Sequence, residues 1–105
     1  MADGWIDAGN AADLAPEDVM RFDEGERTFA LYRTPDGRYY ATDGLCTHAK
    51  VHLAGGFVMG EIIECPKHNG RFNFITGQAQ AAPVCVNLKT YPTKVEGGRI
   101  WIQAG

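Results

Sequence analysis

Two short segments, "CTH" from Cys46 to His48 and "CPKH" from Cys65 to His68, constrain this chain more than anything else in it. Each brings one thiol and one imidazole together on a tight loop just after a β-like run, with sixteen residues between the pairs. A strand that ends in a loop presents neighbouring side chains toward one point. Two such loops facing each other deliver four donors without any helix, so the fold must hold two loop tips opposite one another. The stretch from Cys46 to His68 contains two of the three cysteines of the chain and all three of its histidines.

Two thiolates and two imidazoles suit tetrahedral zinc, and they equally suit a [2Fe-2S] centre in which two His replace two Cys on one iron. Ligand count does not decide between them, and spacing favours the cluster. Zinc fingers and ribbons usually bring both cysteines of a pair from one element, whereas each loop here offers one Cys and one His, as a cluster needs when each loop must reach both irons. A four-cysteine cluster is excluded within the chain, because only Cys46, Cys65 and Cys85 exist. Three cysteines cannot all pair, and the start "MADGWIDAGN" lacks the basic and apolar regions of a signal peptide, so a disulfide framework is not expected.

The rest of the sequence predicts an all-β chain. "GWIDAG" and "DVMRFDEGERTFALYRTPDGRYYATD" read as strands, with a hairpin between Thr28–Arg33 and Arg38–Thr42 in which Pro35 sets the entry of the turn and Gly37 supplies positive φ. "NAADLAPED" holds at most a short helical turn after Asn10. "EIIEC" and "RFNFITG" are short β candidates on either side of the second Cys/His pair, and "VCVNLKTYPTKVEGGRIWIQ" reads as two closing strands around a turn at Gly97 and Gly98. Short strands punctuated by Gly and Pro, with no long helical period, indicate a sandwich or barrel-like architecture. At 105 residues with no linker or repeat, residues 1–105 are expected to form one domain.

Charge narrows the partners. Lys plus Arg number 10 against 13 Asp plus Glu, and no basic cluster is present to neutralise phosphates, so nucleic acid is not an expected partner. The acids concentrate early, at Asp3, Asp7, Asp13, Glu17, Asp18, Asp23, Glu24 and Glu26, and are read as a solvated face, or else as a steering patch for a basic protein. No apolar run approaches the roughly 18 to 20 residues of a membrane span, so a soluble, cytoplasmic protein is expected.

The ligand pattern resembles that of the Rieske-type ferredoxins, whose signature is Cys-x-His, about 15 to 17 residues, then Cys-x2-His around a mixed-ligand [2Fe-2S] cluster. "ECPKHNGRFNFITGQA" is similar to the second cluster loop and following turn of that family, and "AAPVCVNLKTYPTKVEGGRIWI" to its proline-containing loop and closing strands. The resemblance covers nearly the whole chain, including the opening "WIDAG". It implies a base of short antiparallel strands carrying a cluster-binding part of two loops, at about residues 44–83. It implies one [2Fe-2S] cluster per chain, with Cys46 and Cys65 on the inner iron, His48 and His68 on the outer iron near the surface, and the loop around Pro83 covering a third side.

Within the family, the high-potential respiratory members carry two further cysteines that bridge the loops; Val51 and Lys67 stand at the matching positions. Those members also place Ser and Tyr hydroxyls near the cluster sulfurs, and here the matching positions are Gly70 and Phe72. Hydrogen bonds to sulfur favour the reduced cluster, so their absence implies a potential toward the low end of the family range, roughly −150 mV. The cluster uses two of the three histidines, which leaves only His52 and no mononuclear iron site. The resemblance therefore implies an electron carrier rather than an enzyme, most simply a monomer. It would take one electron at a time from a flavin-dependent NAD(P)H ferredoxin reductase to a terminal oxygenase of aromatic-ring dioxygenase or demethylase type. The alternatives are the small subunit of a nitrite-reductase-like complex and a zinc-stapled β interaction module.

Other residues are assigned to structure. His52 is read as a surface loop residue and not a ligand, Cys85 as a small core residue, and Trp5, Phe29, Tyr40, Phe72, Phe74 and Trp101 as core. Lys67, beside a ligand, is expected to contribute to partner docking.

Overall fold

The apolar run Phe29 to Tyr32 forms the middle of strand β3 (Arg27–Arg33) and is buried on both faces. Successive side chains alternate, so Phe29 and Leu31 enter one core while Ala30 and Tyr32 enter another. The fold is organised around that division. The computed structural model describes residues 4–47, 50–67, 69–81 and 86–105.

Around β3 lie β1 (Trp5–Asn10), β2 (Asp18–Glu24), β4 (Tyr39–Asp43), β5 (Phe57–Met59), β6 (Ile62–Glu64), β7 (Arg71–Asn73), β8 (Ala79–Ala81), β9 (Thr90–Tyr91), β10 (Thr93–Glu96) and β11 (Arg99–Gln103). Among the described residues these form three antiparallel sheets, ordered β1-β11-β10, β2-β3-β4-β9 and β5-β6-β7-β8. The first two sheets are the base. Their shared core is Ala8, Leu14, Phe29, Leu31, Ile100 and Ile102 with their neighbours. The radius of gyration is 12.8 Å.

Turn chemistry accounts for the hairpins. Gly37 has φ 93° in the β3–β4 turn, as the sequence predicts, and Gly97 and Gly98 have φ 61° and 77° between β10 and β11. Asn10 caps a 3-10 turn at Ala11–Asp13 by accepting from the Ala12 N–H at 2.9 Å, which is the short helical turn expected there. The described early acids, Asp7 to Glu26, are exposed, as expected of a solvated face. Phe29, Phe72 and Phe74 are fully buried, whereas Trp5, Tyr40 and Trp101 are half-buried.

The strand expected over "RFNFITG" is shorter. β7 ends at Asn73 because the Asn73 side chain accepts from the N–H groups of Ile75 and Thr76, at 2.8 and 3.1 Å, and turns the chain back into β8. β5 and β8 are three-residue strands that the sequence pattern did not single out, since a period of two is not readable over so few positions, and the first of the two closing strands read from the sequence is divided at Pro92 into β9 and β10.

Candidate metal centre

The second core lies between the base and the β5-β6-β7-β8 sheet. It contains Ala30, Tyr32, Leu53, Ile63, Phe72, Phe74 and Leu88, and among them both Cys46 and Cys65, each 1% exposed. Tyr32 stacks on Phe74 at 4.4 Å between ring centroids, and its hydroxyl is satisfied by Thr42 Oγ1 at 2.8 Å. The two thiols are therefore set in an apolar, interlocked floor.

Each cysteine opens a loop closed in the same way. On the first, the Cys46 N–H donates to the Val51 carbonyl at 2.9 Å; on the second, the Cys65 N–H donates to the Gly70 carbonyl at 2.7 Å. Lys50 and Asn69, each four residues after its cysteine, both take the left-handed conformation, with φ 59° and 58°. A non-glycine residue there is uncommon, and its recurrence at the same place in both loops shows one backbone solution used twice. Two loops closed alike can face each other with their cysteines innermost.

The loops are also fastened to their surroundings. Leu45 pairs with His52 across the root of the first, where the Leu53 N–H donates to the Gly44 carbonyl at 2.8 Å. The chain after this loop packs against the second: a Cβ on Gly56 would stand 2.0 Å from the Glu64 carbonyl oxygen and 3.2 Å from Pro66 Cδ. Thr47, between Cys46 and His48, donates from Oγ1 to the Val86 carbonyl at 2.7 Å, bringing the segment that follows Pro83 onto the first loop. Sequence reasoning had no signal for Thr47, whose partner lies 39 residues away.

Cys46 and Cys65 are free thiols buried in the same core. Burial pushes the Cys65 thiol up, the Lys67 N–H directed at its sulfur pulls it down, and the neighbouring Cys46 thiol pushes it up again. Two thiols buried in one apolar core, each at the head of a loop closed alike, fit the thiolate half of an iron-sulfur site. His48, His68, Pro83 and Cys85 lie outside the described residues, so half of the expected ligand set is not placed. Among the described residues no group of three or more His, Cys, Asp or Glu side chains converges. Lys67 is exposed, and Phe72, fully buried, shares the core of the two cysteines. His52, read from the sequence as a surface loop residue, is half-buried at the loop root and hydrogen-bonded on both ring nitrogens.

Comparison with known proteins agrees with this geometry. A family model described as Rieske [2Fe-2S] domain matches residues 4–92. The chain is 45% identical over 102 residues to the ferredoxin component of a naphthalene 1,2-dioxygenase system from Pseudomonas aeruginosa, covering 97% of each chain. Among solved structures, it is similar to the Sphingomonas yanoikuyae B1 ferredoxin, with TM-score 0.89 and 34% identity over 95% of this chain and 98% of that one. It also matches a chain in a complex of reduced oxygenase and oxidized ferredoxin in carbazole 1,9a-dioxygenase, with TM-score 0.88 and 33% identity over 96% of this chain and 94% of that one.

Proposed function

Because the chain belongs to the Rieske [2Fe-2S] domain family, we propose that it is the ferredoxin component of an aromatic-ring dioxygenase or related oxygenase system, carrying single electrons to a terminal oxygenase. The observation that carries this reading is the pair of thiols buried in one core at the heads of two loops closed alike. The names of the relatives support it, being ferredoxin components of multicomponent systems. The protein is an electron-transfer component and not itself an oxygenase.

Cys46 and Cys65 would hold the cluster from the buried side, and His48 and His68 from the other, one cluster per chain. When bound, the cluster supplies a one-electron redox couple. The chain supplies the rest: an apolar floor that excludes water and a rim for transient docking. Gly70 and the buried ring of Phe72 offer no hydroxyl to the sulfurs, which supports a low potential. A flavin-dependent NAD(P)H reductase is the expected donor.

The chain works as one domain over residues 1–105, as a monomer in the cytoplasm; no helix of the described residues is long and apolar enough to cross a membrane. Iron and acid-labile sulfide analysis with an EPR spectrum of the dithionite-reduced protein tests the reading. A rhombic signal with average g below the free-electron value and two irons per chain are expected. A colourless, EPR-silent protein holding zinc would overturn it.

A further inference from the structure

His52 is the histidine left out of the expected ligand set, and it stands at the root of the first loop. Its backbone pairs with Leu45, the residue before Cys46. Its Nδ1 accepts from the Ala54 N–H at 3.0 Å, capping the 3-10 turn Leu53–Gly55 that follows the loop. With Nδ1 an acceptor, the ring proton resides on Nε2, which lies 2.9 Å from Thr28 Oγ1 on β3 and donates to it. The Thr28 hydroxyl donates onward to Asp23 Oδ1 on β2 at 2.5 Å, and Asp23 is paired with Arg21 Nε at 3.1 Å. The ring occupies the space beside Gly44, where a Cβ would meet Nε2 at 2.5 Å. One side chain thus ties the turn after the loop to Thr28 on β3 and, through that hydroxyl, to Asp23 on β2, and it fills the space beside Gly44, two residues before Cys46.

We infer that His52, as the neutral Nε2–H imidazole, is a positioning residue that clamps the root of the Cys46 loop to β2 and β3 and so sets how firmly that loop retains the cluster. The inference rests on the reading of Cys46 and His48 as ligands. A protonated ring carries a hydrogen on Nδ1, opposed to the Ala54 N–H, and cannot serve as the clamp. Burial first, and the Arg21 charge second, hold His52 below the ordinary histidine range, while Asp23 and the Phe29 carbonyl act the other way. Arg21 and Asp23 are the charged groups that face the ring from β2; from β3 it meets Thr28 and the Phe29 backbone, and from its own loop the uncharged Gly44 and Ala54. The folded value lies below the unfolded one, so the contribution of the clamp is complete above about pH 6.5 and is lost as pH falls through the folded value.

The test uses the cluster-loaded protein. Decay of the visible cluster absorbance under a fixed excess of iron chelator is followed between about pH 5.5 and 8.5, bracketing the ordinary histidine value, for wild type, His52→Ala, His52→Asn and Thr28→Val. At the alkaline end His52→Ala should lose its cluster roughly tenfold faster than wild type, the effect of one or two hydrogen bonds on loop opening. His52→Asn, which keeps an acceptor for the Ala54 N–H, should recover part of that loss. The gap between His52→Ala and wild type should close as the pH falls. Equal rates for the two at every pH would overturn the inference, and so would a gap that does not change with pH, which assigns His52 to packing alone. Should His52→Ala fail to fold, Thr28→Val, near-isosteric and outside the loop, decides by the same two criteria. Iron, sulfide and the rhombic EPR signal in wild type keep the proposed function standing in either case; their absence removes both.

Discussion

At the scale of single residues, the surroundings of the two thiols are decided by what is missing from them as much as by what is present. Phe72 is fully buried in the core that contains Cys46 and Cys65, at the position where a hydroxyl donor would stand in high-potential relatives of the resembled family. Phe72→Tyr should therefore raise the reduction potential by roughly 40 mV, the one-electron equivalent of a hydrogen bond contributing about 1 kcal/mol. Protein-film voltammetry of the loaded variant measures this; an unchanged midpoint with an intact EPR signal would show that the hydroxyl does not reach a sulfur. The pairing of the two cysteine loops was legible because their Cys/His pattern is written locally, and the structure buries both cysteines in one core. His52 was not legible. Histidine is not among the residues that mark a helix N-terminus, and its partners Thr28 and Asp23 lie 24 and 29 positions earlier in the sequence.

At the scale of elements, β3 divides the molecule, and its two faces carry different consequences. Ile100 belongs to the core of the base, whereas Phe74 belongs to the core that holds the thiols and stacks on Tyr32. Ile100→Ala should lower stability by about 2–5 kcal/mol and leave the EPR line shape of the cluster unchanged. Phe74→Ala should cost about 3–5 kcal/mol and also speed cluster loss, because the cavity opens beneath the loops. Thermal unfolding followed by far-UV dichroism and by cluster absorbance separates them: the two transitions should stay together in the first variant and part in the second. The longer strands and the β3–β4 turn were readable, since alternation and a Pro-x-Gly turn are local signals. The stop of β7 at Asn73 was not, because it depends on that side chain turning back onto the next two N–H groups.

At the scale of the whole molecule, the proposed electron transfer calls for docking over the two loops, and the described surface there is not uniformly polar. Leu45, next to Cys46, is 40% exposed, and Val86, whose carbonyl holds Thr47, is 59% exposed. Leu45→Glu and Val86→Glu should each raise KM for the oxygenase roughly tenfold, the loss of a modest apolar contact plus a buried charge, without altering the spectrum of the isolated protein. Steady-state oxygenase assays at varied ferredoxin concentration would show it, and an unchanged KM in both would place docking elsewhere. The β class and the kinship of the chain followed from sequence alone, because motif spacing and strand alternation are written locally. The tertiary structure decided the common core of Cys46 and Cys65, the identical closure of their loops through Val51 and Gly70, and the anchoring of the first loop on Thr28 and Asp23. Those features depend on groups distant along the chain meeting at one point, and only the packing of the whole chain fixes such meetings.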